Sequence, residues 1–140
     1  MLGKTIILLL LFGCTTEPIY YIPIETVYFG RDLEIKTELE SKRNDTLTPE
    51  LKLTELATAC VDEMVAKDSL SHKGYWDRAL KSGGVTFGEC VGINYVTAQS
   101  SIAGYLDSER HIAIVLNPIY THLGYCKKGR YECLLLASYK

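Results

Sequence analysis

His72, Glu89 and His111 are the side chains whose types point to chemistry. Two neutral imidazoles and a water, with or without a carboxylate, suffice to hold Zn²⁺ with one position open. Glu89 has two roles open to it. It can accept hydrogen bonds from the imidazoles and orient them, or act as general base on a metal-bound water. The spacing carries no local signature such as His-Glu-x-x-His. The three residues come from separate segments, so only the fold can unite them. Taken singly, each has a plainer reading: a hydrogen-bonded or surface imidazole, or a carboxylate tying loops together.

Nucleophilic chemistry is less well supported. Cys90 follows Glu89, but a reactive cysteine must be a free thiolate. Ser71 and Ser108 lie near His72 and His111. Neither sits in a strand–turn–helix nucleophile elbow, so both read as capping or loop residues.

The elements that position these residues follow from patterning. Asp32 caps a helix through about Arg43, with Ile35 and Leu39 on one face. Thr48-Pro49 reads as the start of the strongest helix, which buries Leu53, Leu56, Ala57, Cys60, Val61 and Met64 and ends near Lys67-Asp68. Ser71-His72 follow in a loop. Gly74 to Thr86 reads as a helical turn and an irregular loop, and Phe87 to Tyr95 as a strand. Thr97 caps a third helix with Ala98, Ile102, Tyr105 and Leu106 on one face, ending around Ser108. His111 to Leu116 is a short apolar run closed by Asn117-Pro118, and Thr121–Lys127 with Arg130–Tyr139 form a hairpin. Few strands, two of them hairpin-linked and covered by helices, predict an α+β layered domain.

The chain's start points to export. Lys4 precedes a short apolar run, Ile6 to Phe12, too short to span a bilayer and suited to a secretory signal. Leu11-Phe12-Gly13-Cys14 resembles the lipobox of bacterial lipoproteins. That resemblance implies a signal peptide at 1–13, lipidation of Cys14 and attachment to a membrane through its acyl chains. Residues 14–31, with Pro18 and Pro23 among aromatics, read as a tether whose second half lies on the domain at 32–140. Setting Cys14 aside leaves Cys60, Cys90, Cys126 and Cys133, an even count that in an exported chain suggests two disulfides. Three pairings are possible. Cys126 and Cys133 flank the hairpin turn, which favours pairing them and leaves Cys60 with Cys90. The net charge of −2, with Lys and Arg scattered among acids, supplies no basic stripe and excludes a nucleic-acid binder.

From about Leu33 to Tyr139 the sequence resembles the CAP superfamily: the cysteine-rich secretory, antigen 5 and pathogenesis-related-1 proteins, also called SCP-like. The matching pieces come in the family's order. They are the helix through Met64 followed by Ser71-His72, and Asp77-Arg78 where members often carry an Arg. Gly88-Glu89-Cys90-Val91 resembles Gly-Glu-Asn, and Tyr105 to His111 resembles Trp-x-x-Ser-x-x-His. Val115-Leu116-Asn117-Pro118, with Tyr120-Thr121 and Leu123-Gly124, resembles Asn-Ile-Leu-Asn-Pro…Phe-Thr…Gly. The resemblance implies a three-layer α-β-α sandwich around a three-stranded antiparallel sheet. It also implies a cleft lined by His72, Glu89 and His111 that in some members holds a divalent metal, here Zn²⁺ on His72 and His111. Cys90 replaces the usual Asn and Tyr105 the usual Trp. The family's second acid has no clear counterpart, Glu109 being nearest, so Glu109 and Tyr105 complete the expected cleft. Tyr95 and Tyr120 either line it or pack. His122 lies where members vary and reads as exposed.

Three functions follow. One is an extracytoplasmic binding module of the cell envelope, anchored by Cys14 and presenting its cleft to a lipid, glycan or protein. Another is a metal-dependent hydrolase with Glu89 as base. The third is a surface interaction protein with no active cleft.

Overall fold

The computed structural model describes residues 31–140 and two short backbone pieces before them. Those pieces are β1 (Ile6–Leu8) and β2 (Pro18–Tyr20), an antiparallel pair. Cys14 and most of the signal and tether assignments lie outside the described residues.

Helix α1 (Arg31–Lys42) buries Ile35 and Leu39. At its end Arg43, 8% exposed, donates to the carbonyls of Val115 (2.9 Å) and Tyr120 (2.8 Å) and pairs with Asp45. This ties the C-terminal end of α1 to the segment between residues 115 and 120. Helix α2 (Leu51–Lys67) buries the six residues its spacing predicts. Its start differs from the sequence expectation. Thr48–Pro49 is a two-residue strand, β3, because the Thr48 N–H bonds to Thr121 O and the Glu50 N–H to Leu123 O, each at 2.9 Å. Glu50 is the N-cap instead. Pairing with a neighbouring strand has overridden a local helix signal.

Next come α3 (Tyr75–Ser82), β4 (Thr86–Ile93), α4 (Ala98–Leu106), α5 (Glu109–Val115), β5 (His122–Lys128) and β6 (Tyr131–Ser138). Thr97 caps α4 in a capping box with Ser100. Segments expected as a turn and an apolar run are thus the helices α3 and α5. The β5–β6 hairpin closes on Gly129-Arg130, with Gly129 at φ 56° in the left-handed region that a tight hairpin turn requires.

The sheet runs β3-β5-β6-β4, with β3 parallel to β5 and the other pairs antiparallel. It therefore has four strands and is mixed, where three antiparallel strands were expected; β3 is the addition. Alternation along the strands divides the core in two. Val91, Cys133, Leu135 and Ala137 pack under α2. Cys90, Tyr125, Leu134 and Leu136 pack under α1, α4 and α5. Helices cover both faces, so every residue of β6 is buried. On the α2 side a Cβ at Gly124 would collide with the backbone of Leu53 and Thr54. Glycine there sets how closely α2 lies on β5.

The same alternation corrects the cysteine pairing. Cys60 and Cys90 lie on opposite faces of the sheet, in separate core clusters, so they cannot bond. Cys126 and Cys133 are opposite one another in register, as the hairpin requires, yet all four thiols are free. Among the described residues no helix is long and apolar enough to cross a membrane.

Candidate functional site

The site forms around β4, an edge strand, where segments from both helical layers meet. α2 ends at Asp68 in a left-handed cap, φ 47°. Ser71 Oγ then accepts the Lys73 N–H at 2.9 Å, and the Tyr75 N–H bonds to His72 O at 3.0 Å. This tight loop holds His72 at the entrance of α3. Glu89 projects from β4 on the same side. From the other layer, α5 brings Arg110, His111 and Ile114 to the cleft.

Glu89 is the hub. Its side chain is 0% exposed. Arg78 donates to it twice, Nε to Oε2 at 2.7 Å and Nη2 to Oε1 at 2.8 Å. This forked pairing is among the stronger and more directional contacts available to a carboxylate. Arg78 Nη1 also donates to Lys73 O at 2.8 Å, so the guanidinium braces the His72 loop. His72 Nδ1 lies 2.9 Å from Glu89 Oε1. A carboxylate paired with a guanidinium only accepts, so His72 donates through Nδ1 and its Nε2 is the free acceptor. With its side chain 52% exposed, that ring opens to the cleft.

His111 packs edge-on against Tyr105, centroids 5.2 Å apart, and Tyr105 OH donates to Glu132 at 2.8 Å. Burial, followed by the nearby His72, holds the His111 imidazole below its ordinary pKa. That lowering favours the neutral ring, the form in which an imidazole ligates a metal. The cleft encloses about 1180 Å³, part of it open solvent, between the two imidazoles, with Tyr75, Trp76, Asp77 and Arg110 on its walls. Trp76 is 77% exposed and stands edge-on to Tyr75.

His72, Glu89 and His111 therefore line one cleft, as the sequence reading requires. Glu89 contacts only the first imidazole. Glu109 is exposed and is not on the cleft wall; the next residue on α5, Arg110, is. Tyr105 is buried behind His111 instead of lining the cavity. Tyr120 is core, and Tyr95 stacks edge-on against Tyr105. His122 is half-buried, its ring against Tyr139. Cys90 lies on the far face, its thiol pushed up by burial and then by Glu89, the opposite of an activated nucleophile. Among the described residues, the group of three metal-ligating side chains whose donor atoms all approach within 4.8 Å is Cys60, Glu89 and Cys133.

Sequence reasoning placed Arg78 where members of the resembled family often carry an Arg but linked it to no partner; in the structure it is the main partner of Glu89. A second buried carboxylate, Glu132, was also missed. Ser101, Tyr105 and Tyr125 all donate to it, at 2.9, 2.8 and 3.1 Å. Its inward register on β6 was the signal, hidden by the burial of that strand on both faces.

Three solved structures resemble this chain. An extracellular SCP-domain protein of Bacillus anthracis superposes with a TM-score of 0.65 at 17% identity, over 88% of this chain and 47% of that one. An outer surface protein of Borrelia burgdorferi gives 0.66 at 14%, over 84% and 92%. A cysteine-rich secretory protein of Staphylococcus aureus gives 0.64 at 16%, over 89% and 43%. This chain has the CAP fold. It spans less than half of the Bacillus and Staphylococcus chains and nearly all of the Borrelia one. No family model and no curated protein matches the sequence.

Proposed function

We propose that this chain is an extracytoplasmic CAP-domain binding module, held to a membrane through lipidated Cys14, whose cleft takes a ligand between His72 and His111. The observation that carries the binding reading is the state of Glu89. Arg78, itself buried, engages both of its oxygens, His72 adds a bond to Oε1, and none of its side chain is exposed. A general base needs a free oxygen within reach of the proton it takes. Glu89 acts instead as a positioning residue that fixes the His72 ring and directs Nε2 outward. A carboxylate behind an imidazole in this way is the usual support of a histidine metal ligand.

The donor set fits a divalent cation such as Zn²⁺, with His72 Nε2 and the His111 imidazole as its protein ligands and other positions left for water or ligand. Bound there, the cation would supply a Lewis-acidic anchor for an oxygen of the ligand. Trp76, Tyr75 and Ile114 give that ligand an apolar wall and Arg110 a positive one, a combination suited to a lipid, a glycan or a peptide. Extracytoplasmic placement is supported by the lipobox-like Leu11–Cys14 and by the extracellular and outer-surface descriptions of two of the structural neighbours.

Calorimetric titration of Zn²⁺ into the full chain tests the reading. One site per chain is expected, lost in both His72→Ala and His111→Ala with the fold retained, and weakened about 10–100-fold in Glu89→Gln. Hydrolysis of peptide, ester or cell-wall substrates that vanishes in Glu89→Gln would overturn it in favour of the hydrolase. Detergent phase partitioning of the expressed protein, lost on Cys14→Ser, tests the anchor.

A further inference from the structure

We propose that Cys60 and Cys133 are a disulfide-forming pair that locks α2 onto β6 beneath the Glu89 hub. Both thiols are free, both are buried, and they face each other across the α2 side of the sheet. Their sulfurs lie within 4.8 Å of each other and of a Glu89 oxygen. A bond requires that gap to close to about 2.0 Å between the sulfurs. The competing pair is less suited. Cys126 and Cys133 are directly opposed across two strands, where Cβ atoms lie about 4.5–5.5 Å apart, at or beyond the upper end of the 3.5–4.5 Å usual for a disulfide. A metal on Cys60, Glu89 and Cys133 would have to displace Arg78 from the carboxylate it grips in a fork.

A route in exists. Cys60 lies at the wall of a surface pocket of about 320 Å³ shared with Glu63, Met64, Lys67, Ser71 and Lys73. Lys67 and Lys73 on its rim both pair with Glu63. The co-reactant is a disulfide. The Cys60 thiolate attacks it, forming a mixed disulfide and releasing one thiol. Cys133 then attacks Cys60 Sγ and expels the second thiol. Two protein thiols lose two electrons and two protons, and the oxidant's disulfide becomes two thiols.

The test uses the full chain carrying Cys14→Ser, treated with oxidised glutathione, then alkylated in denaturant and mapped by proteolysis and mass spectrometry. A Cys60–Cys133 crosslink is expected, with Cys90 and Cys126 alkylated. The thermal midpoint should rise on the order of 10 °C, reverse on reduction and not appear in Cys60→Ser. Mapping of the Cys14→Ser chain stands even if Cys60→Ser fails to fold. A Cys126–Cys133 link, glutathione left on Cys60, or four alkylated thiols would each overturn the proposal. None of these outcomes bears on metal binding by His72 and His111.

Discussion

Replacing Arg78 by Met tests the hub most severely. The substitution keeps the length of the side chain and removes three hydrogen bonds, two to Glu89 and one to Lys73 O. Arg78 and Glu89 side chains are 6% and 0% exposed, so water does not replace the lost partner. The attraction between charges about 4 Å apart at an effective dielectric near 20 is about 4 kcal/mol. Stranding one member of a buried pair costs about 3–5 kcal/mol. A domain of ordinary stability, about 5–15 kcal/mol, would remain folded in buffer with a much lower urea midpoint. Glu89→Gln in the Arg78→Met background removes the stranded charge. The double variant should therefore be at least about 2 kcal/mol more stable than the sum of the single losses. Equilibrium urea unfolding of the four proteins measures this. A loss below about 1 kcal/mol for Arg78→Met, or additive losses, would refute the view that the pair is buried and coupled.

Further outcomes follow from the same geometry. His72→Ala should change stability by less than about 1 kcal/mol in urea unfolding, because the ring is half-exposed and makes one hydrogen bond to a carboxylate already held by Arg78. Gly124→Ala should cost about 3 kcal/mol or more, since its Cβ would meet the Leu53–Thr54 backbone and α2 would have to move. The Arg43 guanidinium beside Asp45 holds that carboxyl below its usual range. With a depressed folded-state pKa, its contribution is complete above the ordinary value of about 3.9 and is lost as pH falls through the folded value. Asp45→Asn should therefore flatten the stability–pH curve below about pH 4, and an unchanged acid slope would contradict the pairing.

The sequence made α2 legible because six apolar residues fall on one stripe, and α4 because Thr97 carries a strong capping signal. His72, Glu89 and His111 could be read as partners only through the order of several weak pieces, since no spacing along the chain links them. Local signals failed where tertiary contacts decided the outcome. Thr48-Pro49 has a helix-start composition, yet the carbonyls of Thr121 and Leu123 draw it into the sheet. The cysteine count suggested a Cys60–Cys90 link, but residue parity in β4 puts Cys90 under α4 and Glu89 under α2. Glu109 was the acid nearest the expected position, and one residue of helical rotation gave the cleft wall to Arg110 instead. The fork from Arg78 to Glu89 was invisible because it joins two elements whose separation in space the chain order does not specify.

The central claim is that Glu89 fixes His72 with Nδ1 protonated, so that His72 Nε2 and the His111 imidazole face a shared cleft. Long-range ¹H–¹⁵N spectra of the histidine rings, recorded on the full chain at neutral pH with and without Zn²⁺, test it directly. The account predicts His72 as the Nδ1–H tautomer, and zinc-induced shifts confined to His72 Nε2 and the His111 ring, with His122 unmoved. A His72 ring protonated on Nε2, or zinc shifts at His122 in place of His72 and His111, would contradict it.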